Sequence, residues 1–344
     1  MRSVVITTIQ PPTGSVLAML DKAVAAGFGL LAIGDRKTPQ AVWPEGARYI
    51  GVREQLEGEF ESAHLIPLDH YARKNVGYLA AIAQGASVIF DTDDDNAPLE
   101  FWRARTLATP ARTYRESGWV NVYQWFSDAQ IWPRGLPLDW VRTRHAPAEL
   151  GTSVEVLAPI QQGLVDGSPD VDAVWRLVSG QHVSFRSAES IYLSEGAWCP
   201  FNSQSTWWFP VAYPLMYLPS FVSFRMTDIW RSFVAQRCLW ALGQGVVFHA
   251  ADMHQERNAH QLMRDFEDEV PGYLNNDKIR GILERTILSH APDAAVDNCH
   301  RCYDGLVSAG LVPPVEIAVL EAWFRDLQRA EKNVARPHVR RVPQ

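Results

Sequence analysis

Ser87-Val88-Ile89-Phe90-Asp91-Thr92-Asp93-Asp94-Asp95-Asn96 decides how this chain is read. It starts as an apolar strand pattern and then sets four carboxylates within five positions. A buried strand that runs out into aspartates places hard oxygen ligands at the carboxyl edge of a sheet. In open α/β folds that edge is where ligands bind. Carboxylates this close repel one another unless a cation or solvent screens them. An all-oxygen set suits Mg²⁺, Mn²⁺ or Ca²⁺ rather than zinc. Asp93 and Asp95 are the expected metal ligands, with Asp91 and Asp94 in support. The competing reading is a solvated acidic turn.

Upstream, Ser3-Val4-Val5-Ile6-Thr7-Thr8-Ile9 is rich in β-branched residues and predicts a buried parallel strand. Pro11-Pro12-Thr13-Gly14 ends it. A helix is predicted from Ser15, with Val16, Leu20 and Val24 on one face and Gly27 as its stop. Gly29-Leu30-Leu31-Ala32-Ile33 completes a βαβ unit that ends in Gly34-Asp35. An acid just past such a strand suits a ribose or a base, and a turn cap is the alternative. Residues 48–52 predict a third strand. Asp69 or a neighbour opens the next helix, which carries Arg73, Lys74 and Asn75 in its first turns. Cations there oppose the helix dipole, and a bound diphosphate would account for them.

Downstream the texture changes. Residues 97–165 are rich in Trp, Arg and Pro, and Val120–Phe126 predicts a half-buried strand. The loop holding Asp166, Asp170 and Asp172 runs into a helix, so Asp170 or Asp172 either caps it or lines a sugar pocket. Residues 201–208 set Asn202 and Gln204 beside aromatics, a mixture that suits a sugar ring or a β core. Thr227 or Asp228 starts an apolar helix. Asp228 is the expected general base, oriented by Arg231. Residues 243–249 predict a last strand, and His249 beyond it is a candidate metal ligand. Arg257 and His260 follow as candidate substrate contacts.

The chain has 344 residues and a net charge of −7, which argues against a nucleic-acid or anionic-membrane binder. Its thirteen tryptophans fit sugar stacking or core filling. The four cysteines have no disulfide-framework spacing, and Cys299-x-x-Cys302 lacks the second pair of a zinc site. A strand pattern opens the N-terminus, so no signal peptide is expected. No apolar run is long enough to span a bilayer. A cytoplasmic setting is the expectation, with peripheral contact at an inner membrane if the acceptor is lipid-linked.

The segments Val4–Thr13, Ala32–Pro39, Tyr71–Tyr78, Ile89–Asn96, Gln162–Ala173 and Ser223–Gln236 together resemble the STELLO glycosyltransferase-like family, from about residue 3 to about residue 275. The chain is similar, more distantly, to reversibly glycosylated polypeptides, which include sugar-nucleotide mutases and share a triple-aspartate turn. Plant STELLO proteins are Golgi membrane proteins linked to cellulose synthase assembly, and that setting is not expected of a chain without their anchor. The resemblance implies a GT-A fold, a nucleotide-sugar donor and a divalent metal, with the acidic turn as the DxD motif of such enzymes.

The expectation is therefore an α/β fold, a GT-A-like (Rossmann-like) mixed sheet flanked by helices. A domain over 1–260 carries the site, a helical extension spans 261–332, and a flexible tail covers 333–344. The expected activity is a Mn²⁺- or Mg²⁺-dependent glycosyltransferase using a UDP-, GDP- or dTDP-linked sugar and a glycan or other acceptor, with a role in surface polysaccharide synthesis. Thr8 and Asp35 would contact the nucleoside, and Arg73, Lys74 and Asn75 the diphosphate or the neighbouring chain. A sugar-nucleotide mutase and a non-catalytic nucleotide-sugar scaffold are the alternatives.

Overall fold

The structure is a computed structural model and describes residues 1–143, 149–179, 181–256 and 261–335. Strand β1 (Arg2–Thr8), helix α1 (Gly14–Ala25) and strand β2 (Gly29–Gly34) form the expected βαβ unit. The two strands run parallel, from Ser3 opposite Gly29 to Thr8 opposite Gly34. The Thr13 side chain caps α1 by accepting from the Val16 amide at 3.1 Å. Val16, Met19, Leu20 and Ala23 are buried, whereas Val24, expected on the same face, is exposed. The contact stripe runs through 16, 19, 20 and 23 and leaves Val24 at its solvent edge.

Next come β3 (Ala47–Ile50), two short helices α2 (Val52–Glu57) and α3 (Ser62–Leu65), α4 (Lys74–Ala83) and β4 (Val88–Thr92). The middle of the chain supplies β5 (Asn96–Pro98), β6 (Ala108–Tyr114), β7 (Gly118–Trp119), α5 (Leu138–Val141), β8 (Ser153–Leu157), β9 (Ile160–Asp166) and α6 (Ala173–Ser179). It continues with β10 (Ile191–Leu193), β11 (Ala197–Trp198), β12 (Ser205–Trp208), α7 (Thr227–Ala241) and β13 (Val246–Gln255). Helices α8 (Leu262–Arg285), α9 (Ala295–Ser308) and α10 (Val315–Ala335) close the described chain.

Among the described residues the main sheet has eleven strands in the order β3-β2-β1-β4-β12-β9-β13-β10-β6-β8, with β5 added to β13. The block β3-β2-β1-β4 is parallel, and β12 then runs antiparallel against β4. This is the mixed α/β architecture expected of a GT-A-like fold. One expected strand is absent: residues 122–125 form a 3₁₀ turn, capped by the Asn121 side chain. The apolar alternation there follows from packing of Val122, Tyr123 and Phe126 into the core rather than from a pleat.

Side chains alternate across the sheet into two layers. Val5, Ile89 and Trp208 face one core, which also holds Leu283, Cys302 and Trp323 of α8, α9 and α10. Val4, Ile6, Phe90 and Trp207 face the other, under α1. Helix α4 lies close on the sheet because residue 77 is glycine: a Cβ there would meet Ile33 Cγ1 at 2.6 Å and Val5 Cγ1 at 2.7 Å. All four cysteines are buried and free, and Cys238 and Cys302 touch across α7 and α9 with sulfurs 3.9 Å apart.

Candidate active site

The carboxyl ends of β1, β2 and β4 open into one cleft of about 930 Å³. Strand β4 stops at Thr92, and Asp93, Asp94 and Asp95 form the turn into β5. Thr8 and Asp35 line the cleft from β1 and from the end of β2, and the three aspartates line it from the turn. Gln204, Asp170 and Asp228 reach the same space from the loop before β12, the loop before α6 and the start of α7.

Each carboxylate of the turn has a protein partner that fixes its direction. Asp94 Oδ2 accepts from Thr8 Oγ1 at 2.5 Å, and its carbonyl accepts from Thr13 Oγ1 at 2.5 Å. Both oxygens of Asp95 lie 2.9 Å from Gln255 Nε2. The side-chain Oε1 of Gln255 in turn accepts from Gln204 Nε2 at 2.9 Å. Asp93 Oδ1 accepts from the Tyr71 hydroxyl at 2.8 Å and from Lys74 Nζ at 2.9 Å. Burial pushes the Asp93 carboxyl up to about 6, with Lys74 opposing that and Asp95 adding to it. Burial also raises Asp94.

Beneath the turn lies a closed ionic layer. Lys74 Nζ is 2.8 Å from Asp91 Oδ1, and Arg231 Nη1 is 3.2 Å from Asp91 Oδ2. Arg231 also donates to Ser203 Oγ at 2.7 Å and Tyr78 Oη at 3.2 Å. Burial works against the Lys74 ammonium, yet Asp91 and Asp93 outweigh it and hold the group above its ordinary range. Asp91 therefore supports the turn through Lys74 and does not itself face the cleft.

The acceptor-side wall is organised by Arg134, which the sequence reading did not single out. Its guanidinium donates to both oxygens of Asp170 at 2.8 Å and to those of Asp228 at 3.1 and 2.9 Å. It also donates to the Arg225 carbonyl. Burial disfavours the Asp170 anion, but Arg134 outweighs burial and holds the carboxyl below its usual range. The expected pairing of Arg231 with Asp228 is thus corrected: Arg231 turns inward to Asp91, and Arg134 orients Asp228. Arg134 is one of several arginines in the Trp-, Arg- and Pro-rich stretch, and no local periodicity marks it.

Several other expected residues are engaged elsewhere. Asn75 is fully buried, and its side-chain amide exchanges two hydrogen bonds with the Leu218 backbone, so it does not reach a ligand. Arg73 borders the cleft, but its guanidinium donates to Gln55 and to the carbonyls of Ala63 and Ile66. The helix start is capped by His70, whose Nδ1 accepts from the Ala72 amide. Asp35 accepts from the Arg36 and His70 amides, which ties the end of β2 to that start. Asp172 caps α6 through the Trp175 amide and takes Trp132 Nε1 at 2.6 Å, which removes it from the sugar pocket. Asn202 braces the Gln204 amide from outside the cleft lining.

His249, the expected metal ligand, sits away from the acidic turn. It lies six residues before Gln255 on β13, on the order of 15–20 Å from the acidic turn along an extended strand. Its Nδ1 is 2.6 Å from Ser190 Oγ and its Nε2 3.0 Å from Gln161 Oε1. Arg257 and His260 lie outside the described residues.

Among the described residues no three His, Cys, Asp or Glu side chains form a metal cage. Asp93 and Asp95 nevertheless present two carboxylates to one cleft. That donor set fits a hard cation that takes its remaining ligands from phosphate and water.

A family model described as STELLO glycosyltransferases matches residues 225–335. "Probable glycosyltransferase STELLO2" of Arabidopsis thaliana is 27% identical over 356 residues, covering 94% of this chain and 44% of that protein. "Probable glycosyltransferase STELLO1" of the same plant is 29% identical over 272 residues, covering 73% of this chain and 35% of that protein. The chain spans less than half the length of these curated relatives. No helix among the described residues is long and apolar enough to cross a membrane.

Proposed function

We propose, from its similarity to the STELLO glycosyltransferases, that the chain transfers a sugar from a nucleoside-diphosphate donor to a glycan or other acceptor. One observation carries this reading. Thr8 and Asp35, at the ends of two parallel strands, share a single cleft with the Asp93–Asp95 turn. The strand-end pair suits a nucleoside, and the turn suits a diphosphate neutralised by Mn²⁺ or Mg²⁺. Asp93 and Asp95 would hold that cation, which when bound supplies Lewis-acid charge to the leaving diphosphate.

In this reading the residues of the chain divide the work. Lys74 and Tyr71 fix Asp93, Gln255 fixes Asp95, and Thr8 fixes Asp94, so the turn is set before a ligand arrives. Asp228 faces the same cleft and takes the proton of the acceptor hydroxyl. Arg134 takes one lone pair on each of its oxygens and the Ile229 amide takes the second on Oδ1 at 3.1 Å, which leaves Oδ2 with one to offer. Asp170, held by the same arginine, positions the acceptor.

The test is incubation with UDP-, GDP- and dTDP-linked sugars and Mn²⁺, with free nucleotide as the readout. Release that stops on adding EDTA and in Asp95→Ala supports the transferase. Isomerised sugar nucleotide without release would favour a mutase, and donor binding without turnover across acceptors would favour a scaffold.

A further inference from the structure

Helix α8 and the segment 134–140 each border two separate concavities. Arg264, Asp265 and Asp268 of α8 line the cleft above, and Tyr273, Leu274 and Asp277 of the same helix line a second groove of about 870 Å³. Arg134 faces the first, and Pro137 to Trp140 face the second. We propose that this groove is a carbohydrate subsite that holds the distal part of a glycan acceptor whose reacting end lies in the cleft. The proposal rests on the transferase reading.

The lining carries the chemistry. Trp140 and Tyr273 are half-buried and line the groove beside the exposed side chain of Leu274. The C–H faces of a pyranose pack on such side chains. Asp139 and Asp277 are exposed at its border, and Gln124 is half-buried there. Arg280 lies over the Trp119 ring at 5.3 Å and pairs with Asp277 at 3.2 Å. Carboxylates, an amide and a guanidinium together supply acceptors and donors for sugar hydroxyls.

The balance of charge narrows the ligand. Glu116, Asp139 and Asp277 stand against Lys278 and Arg280. A polyanion would want a basic surface and a polycation an acidic one, so a neutral oligosaccharide fits best. Nine residues of α8 separate Asp268 from Asp277, about 13 Å at 1.5 Å per residue. Tyr273 is nearer, five positions or about 7.5 Å beyond Asp268, so a short chain of sugars is long enough to touch both sites. The groove also connects to the cleft through hydrogen bonds: the Tyr273 hydroxyl donates to Glu269 at 2.6 Å, and Glu269 accepts from Arg225, which lines the cleft.

The experiment titrates the full chain with cellotetraose, maltotetraose and chitotetraose, and separately with glucose, following tryptophan fluorescence and calorimetry. A nucleoside diphosphate with Mn²⁺ is titrated in parallel. At least one tetrasaccharide should saturate in the millimolar range or tighter, and glucose should not. Trp140→Ala should weaken that tetrasaccharide about tenfold while nucleotide binding stays unchanged. Asp139→Ala, at an exposed position, should weaken it several-fold and serves if Trp140→Ala fails to fold. Absence of saturation by every tetrasaccharide, or binding indifferent to both variants, overturns the proposal. Loss of nucleotide binding in the unmodified chain would instead sink the transferase reading, with the tetrasaccharide result read independently.

Discussion

Lys74 Nζ sits 2.8 Å from Asp91 Oδ1 with both side chains shut off from solvent, and the same ammonium reaches Asp93 in the cleft at 2.9 Å. One buried cation thus joins the core to the turn that faces the ligand. Lys74→Met should leave Asp91 with Arg231 alone and strip Asp93 of its nearest positive charge. Breaking a buried pair from one side costs about 3–5 kcal/mol. An unfolding free energy lowered by an amount in that range, read from the urea midpoint and its slope, is the expected outcome, and an unchanged midpoint would show that the ion pair contributes nothing.

The carboxyl of Asp172 gives the fold a pH signature. Burial raises it from 3.8 to about 6, against the opposing hydrogen bonds from the Trp175 amide and Trp132. The folded state therefore keeps this proton to higher pH than the unfolded chain. The associated stability is complete below about pH 4 and lost as pH rises to about 6. Asp172→Asn still caps α6, because Asn is as good a cap as Asp, but it does not titrate. Relative to the wild type its stability should rise between pH 4 and pH 6, by up to roughly 3 kcal/mol for a shift of this size. Denaturant midpoints at the two pH values check the sign; a constant difference would contradict it.

Arg134 grips Asp170 and Asp228 together. Arg134→Lys keeps the charge and loses the fork that reaches both carboxylates. Transfer should fall at least tenfold with donor affinity within twofold of the wild type, because Thr8, Asp35 and the acidic turn are untouched. Asp228→Asn should retain donor binding and lose about 100-fold or more in transfer, the usual scale for a missing general base. Steady-state kinetics alongside donor calorimetry separates the two effects. Full transfer activity in Asp228→Asn would remove it as the base.

Gly77 sets how closely α4 lies on the sheet, and hence where Lys74 emerges beneath the turn. A methyl at residue 77 meets Ile33 and Val5 well inside contact distance. Ala is the better helix former by about 1 kcal/mol, but overpacking a buried contact costs about 1–3 kcal/mol. Gly77→Ala should be net destabilised and should bind donor more weakly through displacement of Lys74. A variant more stable than the wild type would show that the helix moves away freely.

Much of this molecule was legible locally. The β-branched run of β1, the Pro-Pro break and the helix stop at Gly27 specify a βαβ unit because each depends on neighbours in sequence. The acidic turn was legible in the same way as a cluster of aspartates at a strand end, whether it serves a ligand or only solvent. Residues 122–125 were misread because a strand pattern and a buried 3₁₀ turn present similar apolar spacing over so short a span. Arg134 went unnoticed for a different reason: its two carboxylates lie 36 and 94 residues away in the chain.

By itself, then, the chain's order of residues determined the strand–helix alternation and the site's acidic centre, because backbone sterics, side-chain periodicity and clustered charge act over a few residues. Only the tertiary structure decided which charges face the cleft and which are consumed within the core. It sent Arg231 to Asp91, Asn75 to Leu218 and His249 to Gln161, and it brought Arg134 to Asp228. Those choices follow from the cost of leaving a buried polar group unpaired, a cost relieved here across long separations that local sequence does not encode.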